Sequence, residues 1–135
     1  MQKVSEDECI SYISFKIPEM AHRWKKYFEI TGEPIGLTVD IQPLTDYVVE
    51  KVRNEEYKDV EYALKCVEEL IEIGDEDVKA SMTTGFLEAL LHQDPHNIQF
   101  EKFAHLLGPE SKEYCKAWDE FCGMRTKGLW DDDIC

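Results

Sequence analysis

The sequence predicts a single compact all-α domain of about seven short antiparallel helices. Three observations carry this. Apolar residues recur near a 3.6-residue period in six or seven separate segments. Alternating apolar residues occur in one place only, at residues 35–41. Start and stop residues punctuate the periodic segments at short intervals. At 135 residues and 43% hydrophobic, the chain is long and apolar enough to bury a core.

The first helix opens at Ser5 with Glu8 three residues on, a capping box, and turns Cys9, Ile10, Ile13 and Ile17 to one face. Pro18 starts the second, since its missing N–H costs nothing at a helix's first turn. Its stripe is Met20, Ala21, Trp24, Tyr27, Phe28 and Ile30, and Thr31-Gly32-Glu33-Pro34 stops it. Residues 35–41 alternate like a strand but have no partner strand, so they are read as an extended connector. Pro43 restarts helix, with Leu44, Tyr47, Val48 and Val52 inward. Asp59 is the expected cap of a fourth helix, with Val60, Ala63, Leu64, Val67, Leu70 and Ile71 inward and Gly74 as its C-terminal stop.

Asp75, Glu76 and Asp77 head a fifth helix, acids at the positive end of its dipole. Its face is Val78, Met82, Phe86, Leu87, Leu90 and Leu91, and Gly85 signals a close helix approach. After the turn Gln93-Asp94-Pro95-His96, a sixth helix is expected from Asn97 through Phe100, Phe103, Ala104 and Leu107 to Gly108-Pro109. Ser111 opens the last, with Tyr114, Cys115, Trp118, Phe121 and Cys122 inward and Gly123 after it. The domain is drawn over 1–129, with 130–135 as an acidic tail. No repeat of fixed length is visible.

The chain carries 29 acids against 15 bases, a net charge of −14. Such a field repels phosphate backbones and attracts basic protein. Direct nucleic-acid binding is therefore not expected. More than half the excess lies in residues 54–77, with ten acids against two bases. Within it Glu61, Glu68, Glu69, Glu72, Asp75, Glu76 and Asp77 form the candidate docking surface. The rival reading is a solvated helix face. Trp130 with Asp131, Asp132 and Asp133 is a second candidate, an arm with an aromatic anchor, against the plain reading of a frayed terminus.

His92 and His96, with His105 near in sequence, suggest a metal, but the spacing is not that of a zinc helix. His92 at a helix end and Asp94-Pro95 in a turn account for them locally, so no metal, cofactor or catalytic residue is expected. Five cysteines without a C-x-x-C pair read as reduced thiols. The charged start Met1–Glu8 lacks an apolar leader, and no apolar run is long enough for a membrane. Both point to a cytoplasmic protein. Phosphate-loop, dinucleotide-binding, nucleophile-elbow and kinase signatures are missing.

Phe86-Leu87-Glu88, then Phe103-Ala104-His105-Leu106-Leu107-Gly108-Pro109-Glu110-Ser111, then Tyr114-Cys115-Lys116-Ala117-Trp118-Asp119 resemble a family of small acidic helical bacterial proteins. These look like the immunity partners of polymorphic toxins, including contact-dependent growth inhibition systems. The resemblance covers roughly residues 80–129. It implies a non-enzymatic protein that binds a cognate toxin domain in a 1:1 complex. The acidity adds that the toxin is basic, most plausibly a nuclease, blocked by having its active site covered. Two alternatives are a regulatory interaction module unrelated to toxins and a metal-dependent enzyme using His92 and His96.

Overall fold

The computed structural model describes residues 3–94 and 96–130. The described chain forms six helical rods and one single-turn helix, in an all-α fold. They are α1 (Glu6–Lys16), α2 (Pro18–Thr31), the single turn α3 (Leu37–Asp40), α4 (Gln42–Arg53) and α5 (Tyr57–Ile73). A rod of three consecutive parts follows: α6 (Glu76–Ala80), a π-helical stretch Ser81–Leu87, and α7 (Glu88–Leu91). Two 3₁₀ turns, Phe100–Lys102 and Ala104–Leu106, lead to α8 (Pro109–Cys122).

Local chemistry sets most of these ends. Glu8 accepts from the Ser5 N–H at 3.0 Å and from the Ser5 hydroxyl at 2.9 Å, so the capping box opens α1. Pro18, Pro43 and Pro109 each lie in a first turn. Gly123 ends α8 in the left-handed conformation, φ +68°. Helix α5 starts at Tyr57, with Glu56 as its cap, three residues before the expected cap Asp59. Its predecessor α4 closes with paired C-terminal bonds, Glu55 N–H to Val52 C=O and Glu56 N–H to Lys51 C=O. That motif puts Glu55 at φ +58°, where glycine is usual.

Residues 35–41 are not extended. Leu37 and Ile41 are buried four apart, while Ile35 and Val39 point out, so the relevant spacing is helical. Asp40 explains the bend. Its carboxylate, 2% exposed, accepts the N–H groups of Ile35 and Gly36 at 2.9 and 3.1 Å and the Tyr27 hydroxyl at 2.9 Å. A carboxylate holding two preceding amides folds the chain back on itself, which a strand cannot do.

The core is one cluster. Ile13, Met20, Leu44, Val48, Leu64, Leu70, Met82 and Phe86 are almost wholly buried where α1, α2, α4, α5 and the π rod meet. Phe100 and Phe103 pack 4.8 Å apart and are fully buried, as expected, but from 3₁₀ turns rather than a sixth α-helix. Ala21 and Ile30 face solvent instead of the core. The π stretch sits where Gly85 meets α3: a Cβ there would lie 3.0 Å from the Thr38 carbonyl oxygen. Ser81 and Thr83 hydroxyls donate to the carbonyls of Asp77 and Lys79, four residues back, which competes with regular α-helical bonding. A parallel bridge from Val4 to Gly74 ties the N-terminus to the α5–α6 junction.

Candidate functional site

The expected acidic surface divides in two once it is folded. Three of its members serve the fold. Glu68, 9% exposed, stands four residues from Leu64 and shares its inward face, contrary to the surface role expected. Its carboxylate accepts the Glu110 N–H at 2.8 Å, the Ser111 N–H at 3.0 Å and the Ser111 hydroxyl at 2.8 Å. It thus caps α8 from α5. Gly108 and Pro109 offer no side-chain acceptor of their own, and the first amides of a helix need one. Glycine at 108 leaves the Glu68 carboxylate in place, since a Cβ there would fall 2.4 Å from its carboxyl carbon and push the side chain aside. Asp75 caps α6 by accepting the Val78 N–H at 3.0 Å. Glu69 accepts the Tyr12 hydroxyl at 2.9 Å and lies 3.9 Å from Lys16, joining α5 to α1.

The other members stay available. Glu72, Glu76 and Asp77 are exposed and Glu61 half-buried, and none forms an ion pair among the described residues. The sequence arithmetic overstated the local excess, however. Lys51 on α4 reaches Glu56 at 3.3 Å, Asp59 at 3.5 Å and Glu19 at 3.9 Å.

Trp130 is part of the domain rather than of a tail. Its indole N–H donates to Asp119 at 2.9 Å, and Leu129 before it is fully buried. Lys116 and Arg125 lie 5.2 and 4.8 Å from its ring. Asp131, Asp132 and Asp133 lie outside the described residues.

The last helix buries a different face from the one its apolar residues mark. Ser111, Cys115 and Asp119 point inward. Tyr114 and Trp118 are half-buried, and Phe121 and Cys122 are exposed, against expectation. Two of the three inward residues are polar and satisfied, Ser111 by Glu68 and Asp119 by Thr126 and Trp130. An apolar count cannot detect such a face. Phe121, 82% exposed, stacks on Trp118 with ring centres 5.6 Å apart, and Met124 nearby in sequence is also exposed. The sequence reading placed Phe121 in the core and so missed this exposed aromatic pair. Phe121 lies well off the face shared by Ser111, Cys115 and Asp119, a face that only the folded chain identifies.

His92, His96 and His105 are all exposed. Among the described residues no three His, Cys, Asp or Glu side chains gather as metal ligands. Burial pushes the thiols of Cys9, Cys66 and Cys115 up to about 12, so they stay protonated at neutral pH and pack as small apolar groups. A thiol reagent at pH 8 is expected to modify Cys122 in the native protein and these three only after unfolding; mass spectrometry of the peptides checks it. The same shifts set an alkaline limit. The unfolded thiols ionise from about pH 9, before the folded ones, so the stability they contribute is whole below pH 9 and falls as pH rises toward 12.

One comparison bears on what unites these residues, for a family model described as a domain of unknown function, DUF7674, matches residues 10–123. The chain belongs to the DUF7674 family. The match runs from within α1 to just past the end of α8. No curated protein and no solved structure matches this DUF7674 domain significantly. None of its described helices is long and apolar enough to cross a membrane.

Proposed function

We propose that this DUF7674 domain is a non-catalytic binding protein that captures a basic protein domain 1:1 and covers its active site, as an immunity protein does with a toxin nuclease. The observation that supports this reading is the set of unpaired carboxylates Glu61, Glu72, Glu76 and Asp77. Their neighbours Glu68 and Asp75 are consumed by helix caps, so these four are what remains for a partner. Like charges close together repel in the free protein, and a cationic cleft turns that repulsion into attraction on docking. Phe121 stacked on Trp118 supplies an apolar anchor of the kind that dominates binding energy. Such an inhibitor has no turnover of its own and acts in the cytoplasm on toxin that has entered.

The test needs a partner, a basic toxin domain to be sought among the products of the genes neighbouring this one. Glu72→Lys, Glu76→Lys and Asp77→Lys combined should slow association about tenfold at low salt and flatten its salt dependence, because less attraction is left to screen. Phe121→Ala should instead raise the dissociation rate. If both variants associate, dissociate and protect cells like the wild type, the carboxylates are a solvated face and this reading is abandoned.

A further inference from the structure

A groove separate from the acidic helix face carries an inference of its own. Val52, Arg53 and Glu55 at the end of α4 and Asn97, Ile98, Gln99 and Lys102 from the chain after α7 border an open groove of about 390 Å³. That is the lower end of the range for small-molecule sites. Val52 and Ile98, each 4% exposed, give it an apolar floor. Arg53, Lys102 and Glu55 put two cations and one carboxylate into the same space.

Two facts make this more than a dent with charged rims. First, the groove's opposite charges do not neutralise one another: Glu55 forms no ion pair with Arg53 or Lys102, although Lys51 nearby pairs with three acids. Charges held apart in one cavity suit a ligand that carries both signs. Second, Glu55 is costly where it stands. It occupies the left-handed position of the α4 C-cap, φ +58°, where glycine is the residue without strain. Its exposed side chain makes no hydrogen bond that supports the fold. Backbone strain kept at a residue that lines a cavity is a mark of a functional position.

We propose that this groove binds a free α-amino acid with an apolar side chain. The carboxylate lies between Arg53 and Lys102, where the guanidinium fork and the ammonium match it. The ligand's ammonium meets Glu55, the one acid lining the groove. Its side chain rests on Val52 and Ile98, and the amides of Asn97 and Gln99 close the polar rim.

The experiment is an amide-NMR titration of the full chain with L-leucine, N-acetyl-L-leucine and L-leucinamide. Leucine should produce saturable shifts confined to residues 52–55 and 97–102. Removing the ligand's ammonium, which loses the contact with Glu55, or its carboxylate, which loses those with Arg53 and Lys102, should each weaken binding about tenfold or more. Glu55→Gly should raise the melting temperature while weakening leucine about tenfold, a pairing that mere unfolding cannot imitate. Arg53→Gln should weaken leucine with the melting temperature unchanged. The proposal is overturned if leucine gives no saturable shift up to about 20 mM, a limit corresponding to negligible affinity. It is equally overturned if either derivative binds as well as leucine, or if Glu55→Gly binds leucine as the wild type does.

Discussion

Glu68→Ala is expected to lower the stability of the domain by about 3 kcal/mol and its melting temperature by on the order of 10 °C. The carboxylate holds two backbone N–H groups and one hydroxyl at the start of α8, and the serine it holds is 1% exposed. Removing it strips three donors of their acceptor, the two on Ser111 buried, which is where single substitutions become severe. It also withdraws a negative charge from the positive end of the α8 dipole. Glu68→Gln keeps an acceptor and should fall between the two. Glu72→Gln, four residues on and exposed, should stay within about 0.5 kcal/mol of wild type. Thermal unfolding followed by circular dichroism decides it. Equal melting temperatures for Glu68→Ala and Glu72→Gln would mean that Glu68 belongs to the surface after all. Gly108→Ala is a second route to the same joint, because the added methyl displaces the Glu68 side chain.

Asp119→Ala should release the chain after α8. Asp119 is 1% exposed and accepts the Thr126 N–H at 2.7 Å, the Thr126 hydroxyl at 2.9 Å and the Trp130 indole N–H at 2.9 Å. One carboxylate therefore closes the loop that carries Arg125 and Lys127. The expected loss is about 2–4 kcal/mol, from three charge-assisted bonds given up and donors left behind. Trypsin reads it directly. Cleavage after Arg125 and Lys127 should accelerate tenfold or more in the variant, because the loop opens without the rest of the domain unfolding. Asp119→Asn tests the charge, since it keeps one acceptor oxygen. Wild-type cleavage rates in Asp119→Ala would show that burial of Leu129 holds the loop alone.

Much of this architecture was legible residue by residue, because its causes act over a few positions. The Ser5–Glu8 box, the prolines in three first turns and the left-handed Gly123 each work within one helical turn. The apolar periods of α4, α5 and the rod from Val78 to Leu91 likewise place Leu44, Leu64, Met82 and Phe86 in the core. What stayed hidden depends on partners far away in the chain. Glu68 meets Ser111 across 43 residues, and the acid-rich run around it gives no sign of that partner. Asp40 overrides a strand-like pattern because Trp24 and Tyr27, on α2, reach its backbone and its carboxylate. Phe121 faces out because the inward side of α8 is built from Ser111, Cys115 and Asp119, whose polar atoms are satisfied by other elements. Local periodicity ranks residues by hydrophobicity, whereas a buried polar group is stable wherever its hydrogen bonds are complete, and only the folded chain supplies those partners.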